Sequence, residues 1–421
     1  MSNPLVTRSL TGSRRLLGAC VTLVLAVATA PAQAQQVPQG FEADNVEAVG
    51  YSELDGRPGF KLAIREVAGR WYMYMGHLWH RGWSIVDVTD PKAPKVVKFI
   101  PGPENTWTIQ MDLHGNTMIT ALQRISESWG GDPARPFDEG FLIWDISDPV
   151  NPKKLGQWKS GKTGTHRNGY PGGRYVHAAA SGYAIVDISD PARPVEVSRM
   201  PEVTGTHGPP QVAGNLVYVP AGGDMVIGDI TDVTKPKVIG RLPFGPPFKG
   251  VHTVVPIPDR KVAIVNSEAI AERCQEPLNH TSMVDVSDPA KPVLLSVFPL
   301  PVPPPGAPYT DFCDKGGRFG PHNLNQHQNH PDVEKQGDLV YVTYFNAGLR
   351  IYDISNPRLP REVGSFVPPD PVKRYGTFPA DTLVTQTEDV LVDRRGYIYI
   401  TDKNQGLWVL RYTGPRRSSS Q

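Results

Sequence analysis

The sequence predicts an all-β fold, a seven-bladed β-propeller in which an N-terminal strand closes the last blade. Three observations carry that expectation. First, one phrase recurs six times, over Ser84–Pro94, Leu142–Pro152, Ala184–Pro194, Val226–Pro236, Ser282–Pro292 and Arg350–Pro360. Each copy has a strand-like triplet, an Asp, Val or Ile with Ser or Thr, then an Asp or Asn turn closed by Pro; a worn seventh copy, Gly406–Tyr412, keeps only the strand. Second, the anchor aspartates Asp87, Asp145, Asp187, Asp229, Asp285 and Asp353 stand 42 to 68 residues apart, the length of a four-stranded blade with variable loops. Third, Gly 41 and Pro 43 accompany a hydrophobic fraction of 39%, which suits many short strands and tight turns.

Residues 1–34 read as a secretory leader and stand outside the fold. Arg8, Arg14 and Arg15 precede an apolar run from Leu16 to Ala30, and Ala32-Gln33-Ala34 forms a small-x-small cleavage site. Ser13–Leu17 also resembles a twin-arginine signal, so export through Sec or twin-arginine translocation is expected, with a periplasmic or secreted destination. Leu17–Cys20 looks like a lipoprotein box, but the apolar run follows the cysteine where it should precede it. Cleavage leaves Lys+Arg at 40 against Asp+Glu 42. A near-neutral chain without a basic stripe is no nucleic-acid binder, and nothing after the leader is apolar for long enough to span a membrane.

The propeller is expected over 35–414. In blade 4, Thr206–Gly214, Leu216–Val219, Met225–Ile230 and Lys237–Leu242 read as successive strands from the channel outward. Blade 6 repeats the pattern with Leu339–Tyr344, Leu349–Ile354 and Arg361–Phe366. Blade 7 offers Asp389–Asp393, Tyr397–Thr401 and Leu407–Tyr412. It lacks a fourth strand, which Asn45–Ser52 is expected to supply, removing the open edge. Residues 415–421 read as a disordered tail. The Asp-Pro turns look like a carboxylate array, yet Asp and Ser cap tight turns through their own backbone and Pro pre-sets φ, so their role is structural.

The repeated phrase resembles the LVIVD-repeat family of bacterial exported β-propellers. That resemblance covers nearly all of the chain after the leader; it implies the fold and leaves the chemistry open. In arrangement the chain is more remotely similar to selenium-binding/methanethiol oxidase propellers, although no diagnostic motif is shared.

Comparison of the blades exposes a second pattern. Gly164-Thr-His166, Gly205-Thr-His207, Gly250-Val-His252 and Gly320-Pro-His322 open four inner strands on the face opposite the Asp-Pro turns. His166, His207, His252 and His322 are therefore expected to converge at one mouth of the channel as metal ligands, for a divalent transition metal such as Fe, Cu, Mn or Zn. The arrangement alone is similar to the four inner-strand histidines of carotenoid cleavage oxygenases, a fold-level analogy. The bland alternative is a histidine inherited with the repeat that merely bonds its neighbour. At the matching positions blade 2 carries Trp107, and blade 7 carries Thr387 or Glu388.

Glu268, after the second strand of blade 5, and Glu388, on the inner strand of blade 7, are the candidate catalytic carboxylates, as general base or as groups orienting an imidazole. His77 and His80 are expected near the same mouth, and His327 and His330 are further candidates. His114 and His177 read as ordinary strand residues. Insertions at Ser126–Asp138, Ala269–His280 and Pro299–Phe319 crowd this face, where loops on a rigid scaffold build binding surfaces. Cys274 and Cys313 lie in two of them; once the leader takes Cys20 with it, they are expected to pair, closing a loop worth about 4 kcal/mol in the chain-entropy model.

The resulting expectation is a metal-dependent oxidoreductase or lyase acting on a small molecule or glycan. The rival is a non-catalytic propeller that binds a protein or glycan partner through its loop-rich face, supported by the lack of any nucleophile-elbow motif.

Overall fold

Short alternating runs of Val, Ile and Tyr, broken by Gly and Asp-Pro, cannot build helices and instead pair locally into antiparallel hairpins. In the computed structural model, which describes residues 1, 4, 5, 35–244 and 250–415, these hairpins form seven sheets. The expected leader, apart from those three positions, and the expected tail beyond 415 lie outside the described residues. Blade 1 runs Gly59–Val67, Arg70–His77, Gly82–Asp87 and Lys95–Pro101. Blade 4 runs Gln211–Ala213, Leu216–Ala221, Asp224–Asp229 and Lys237–Pro243, and blade 5 runs Val251–Ile257, Val262–Ser267, Thr281–Asp285 and Val293–Val297. Only short helical turns interrupt the strands, among them Phe312–Lys315. No helix among the described residues is long and apolar enough to cross a membrane.

Ring closure follows the sequence expectation. Val46–Ser52 pairs antiparallel with Leu407–Tyr412 and completes blade 7. An additional strand, Glu42–Asp44, pairs with Arg361–Val367 on the outer edge of blade 6, so the N-terminal segment covers two sheet edges. Seven apolar clusters fill the seams between blades. One joins Leu62, Ile64 and Met73 of blade 1 to Leu391, Tyr399 and Val409 of blade 7.

All six Asp anchors accept the backbone N–H two residues on, from Thr89, Ser147, Ser189, Thr231, Ser287 and Ser355. These are Asx turns, the structural role their chemistry predicts. Their prolines also dock onto the preceding blade. A side chain at Gly156 or Gly240 would meet the carbonyl of Pro191 or Pro289 at 1.8 or 1.9 Å, so the outer strand must be bare where the next blade's turn sits.

The inner edge is less regular than the sequence suggests. Thr206–Gly214 shrinks to a strand at Gln211–Ala213 plus one bridge, Thr206 to Ala221, and the segment at His322 holds one bridge, Leu324 to Val342. Pro209, Pro210 and Pro321 supply the reason: without an N–H they cannot donate to a ladder.

Candidate metal centre

The four predicted histidines come together. Their rings form a continuous arc across blades 3 to 6, with centroids 4.3 Å apart for His166 and His207, 5.2 Å for His207 and His252, and 4.7 Å for His252 and His322. Backbone close approach sets part of this spacing. A Cβ at Gly208 would stand 1.5 Å from the His252 carbonyl oxygen, so only glycine lets the segment after His207 press against blade 5.

Hydrogen bonding sets the tautomers. His166 Nδ1 faces Gln123 Oε1 at 2.5 Å, and His322 Nδ1 faces the Glu388 carbonyl at 2.7 Å. Both oxygens are acceptors, so both Nδ1 atoms carry the proton. His252 Nδ1 lies 2.8 Å from Thr253 Oγ1, whose own hydrogen goes to the His322 carbonyl. His252 is therefore also protonated on Nδ1. In all three rings the lone pair remains on Nε2, the arrangement that prepares an imidazole to bind a metal. Burial first, then neighbouring cations or imidazoles, pushes the pKa of His166, His252 and His322 well below the ordinary histidine value, keeping them neutral.

Glu268 faces this arc from the end of the second strand of blade 5. Its Oε2 lies 3.1 Å from His207 Nε2 and 3.6 Å from His252 Nε2, while Oε1 takes Arg318 Nη1 at 3.3 Å. Burial opposes its ionisation, but His252, His207 and Arg318 outweigh that and hold its carboxyl well below the usual carboxylate range. One ligand atom each from His207, His252 and Glu268 lies within 4.8 Å of the other two, a group that could hold a metal ion. The 3.1 and 3.6 Å edges bracket the ~3.4 Å expected between ligands about 2.1 Å from a tetrahedral ion. His252 Nε2 is buried without a hydrogen-bond partner among the described residues, which fits a ligand's role.

His166 and His322 end the arc and fall outside that three-residue group. His322 Nε2 sits 3.3 Å from Arg167 Nη2, and Glu388 Oε2 lies 3.0 Å from His322 Nδ1 while the same carboxylate pairs with Lys403. Glu388 thus orients an imidazole. Glu268 lies within reach of two imidazole nitrogens and one guanidinium.

His77 is fully bonded to the Pro58 carbonyl and Ser84 Oγ at 3.0 and 2.7 Å, with His80 beside it; neither lines the cavity, but Leu78 between them does. His327 bonds Asp112 at 2.9 Å, and His330 packs against His114; they form a separate group. Sequence reasoning did not find Arg167, Arg318 or Lys403, which line the same cavity. Each occurs once, so no repeat pattern marks it.

The cavity encloses about 170 Å³ and has an apolar side built of Phe60, Leu78, Ile109, Trp107 and Trp129. Trp129 comes from the blade 2 insertion and packs on Trp79 and Phe378. Cys274 and Cys313 are disulfide-bonded with Cα atoms 5.5 Å apart, joining the other two insertions as expected. A fourth loop, 368–386, went unnoticed in the sequence; it ties to them through Asp381 with Arg273 and through Glu272 with the Ala380 N–H.

Fold and site together define a seven-bladed β-propeller with a His/Glu group at one channel mouth. Within that class the chain carries LVIVD repeats, matched at residues 172–201, 211–242, 279–298 and 331–367. Among solved structures it is similar to the β-propeller domain of Cps50 (Swd1) from Myceliophteria thermophila, at 12% identity and a TM-score of 0.55, over 87% of this chain and 98% of that one. That likeness is one of fold. No curated protein matches the chain.

Proposed function

We propose that this propeller is a metal-dependent enzyme, an oxidoreductase or a lyase, whose ion is held at the channel mouth by His207, His252 and Glu268. The observation that carries the reading is the three-donor group itself, with one buried nitrogen, His252 Nε2, left without a hydrogen-bond partner among the described residues. Two imidazoles and a carboxylate suit Fe(II), Mn(II) or Zn(II) and leave coordination positions for substrate. With both described cysteines in a disulfide, no thiolate is present there to favour Cu(I). A bound ion would supply Lewis-acid polarisation of a substrate oxygen or, if redox-active, electron transfer. Of the chain's own groups, Glu388 holds His322 with its Nε2 lone pair toward the cavity, Gln123 does the same for His166, and the disulfide-linked loops stand around the mouth. The bridge also supports an oxidising, exported setting.

Elemental analysis of the purified protein after incubation with Fe(II), Mn(II), Zn(II) or Cu(II) tests this. About one equivalent of one ion is expected, lost in both His252→Ala and Glu268→Gln. Metal content that is absent, or unchanged in both variants, sinks the reading.

A further inference from the structure

Arg167 follows His166 on the inner edge of blade 3 and is only 1% exposed. A buried guanidinium needs an anion or a full set of acceptors to offset its lost hydration. Arg167 has neither. Nη1 donates to Asn323 Oδ1 at 3.0 Å, Nη2 reaches His322 Nε2 at 3.3 Å, and Nε has no partner among the described residues. The nearby carboxylates are engaged by other groups: Glu268 by Arg318 and His207, Glu388 by Lys403 and His322, and Asp389 by Lys61 at 2.7 Å. Burial pushes the Arg167 pKa down to about 10, against the pull of Glu268 and Asp389, so the charge persists at neutral pH. Arg318, on the same cavity, also has a buried Nε without a partner among the described residues.

The Nε and Nη2 edge of a guanidinium matches the two oxygens of a carboxylate side-on. Across the cavity, Phe60, Leu78 and Ile109 form a buried apolar cluster with Trp107 and Trp129 packed on it. The volume of about 170 Å³ is on the scale of the ~150 Å³ apolar cavity that accepts a benzene ring. We propose that this cavity binds a small monocarboxylate with a ring-sized apolar body, its carboxylate on Arg167 and its ring against Phe60, Leu78, Ile109 and Trp107. Within the metal-dependent reading, on which its role as substrate rests, this ligand is the substrate class; the Arg167 contact itself does not need the ion.

The probes are benzoate, its neutral isostere benzamide, and phenyl phosphate, titrated into the purified protein by calorimetry with tryptophan fluorescence as a second readout. Both metal-loaded and chelator-treated protein are used. Benzoate is expected to saturate one site, at least about tenfold more tightly than benzamide, since a charged hydrogen-bonded contact is worth about tenfold or more. Arg167→Gln should remove that preference. The benzoate–benzamide comparison on the unaltered protein tests the proposal even if that variant does not fold. Equal binding of benzoate and benzamide, or no saturable benzoate binding, overturns the carboxylate site; tighter phenyl phosphate overturns the choice of carboxylate over phosphate. A preference that survives Arg167→Gln but vanishes on chelation makes the metal the anion receptor and also overturns it. A preference that persists in protein that never binds metal upholds this site while the metal reading fails.

Discussion

His177 supplies a buried proton switch whose effect on stability can be calculated. It lies on the second strand of blade 3, Tyr175–Ala179, with its Nδ1 2.6 Å from the Tyr183 hydroxyl and its ring stacked on that tyrosine. Burial alone lowers its pKa to about 4, against 6.5 in an exposed chain. The folded protein therefore refuses a proton that the unfolded chain accepts between those values. Its share of stability is fully present above pH 6.5 and is lost as the pH falls toward 4. At pH 5 the unfolded imidazole is almost entirely protonated and the folded one hardly at all, a cost of about 2 kcal/mol; at pH 7 the same linkage costs about 0.2 kcal/mol.

The perturbation is His177→Phe, which keeps a ring in the site and cannot titrate. Loss of the Tyr183 bond affects both pH values alike and cancels in the comparison. Urea unfolding at pH 7 and pH 5, followed by fluorescence, should show the unaltered protein losing about 2 kcal/mol more than the variant on acidification. Parallel losses in the two proteins would refute the assignment of a neutral buried imidazole. His77, likewise lowered to about 4 chiefly by burial, should contribute a similar share, so replacing both should spare about 4 kcal/mol.

Two further outcomes are expected. Cys274→Ser with Cys313→Ser opens a loop whose ends are 39 residues apart and should cost about 4 kcal/mol in thermal or urea unfolding; peptide mapping without reductant should show the linked pair in the unaltered protein, and two alkylated thiols there would contradict the bridge. Removal of residues 35–52 takes away the strands pairing with Leu407–Tyr412 and Arg361–Val367, so light scattering should report self-association through the freed edges; a monomer with unchanged unfolding would show that closure does not depend on this segment.

The fold was legible because its information is local and repeated. An Asp that accepts the N–H two residues on, followed by a Pro that prevents continuation, specifies a turn wherever it occurs, and six copies specify six sheets. The Gly-x-His segments were legible for the same reason, since equal register in neighbouring blades means equal height along the channel. What stayed hidden depends on distance across that channel. Glu268 reads in the sequence as a general base or as a carboxylate orienting an imidazole, and only the fold shows its Oε2 3.1 Å from His207 Nε2 and 3.6 Å from His252 Nε2. Arg167, Arg318 and Lys403 hold no common register, and nothing in their flanking residues distinguishes an inward cation from a solvated one.

Four histidines on four of seven blades make an arc and not a ring, and this asymmetry gives the cavity its chemistry. Each blade turns the chain by about 51° when seven share a circle, so blades 3 to 6 occupy somewhat more than half of it. Their side contributes His166, Arg167, His207, Glu268, Arg318 and His322 to the cavity, with the His252 ring between those of His207 and His322 in the arc. Blades 1 and 2 face them with Phe60, Leu78, Trp107 and Ile109, and blade 7 contributes Glu388 and Lys403. At the blade 2 position matching the histidines stands Trp107, whose ring centroid lies 6.0 Å from that of His166. A symmetric ring of imidazoles would enclose an ion and leave no wall against which to orient a substrate. In this arrangement the cations stand close to the aromatic rings, Arg167 over Phe60 at 5.9 Å and Arg318 over Trp129 at 5.4 Å, so the proposed ligand would find a carboxylate partner and an apolar surface within one small cavity.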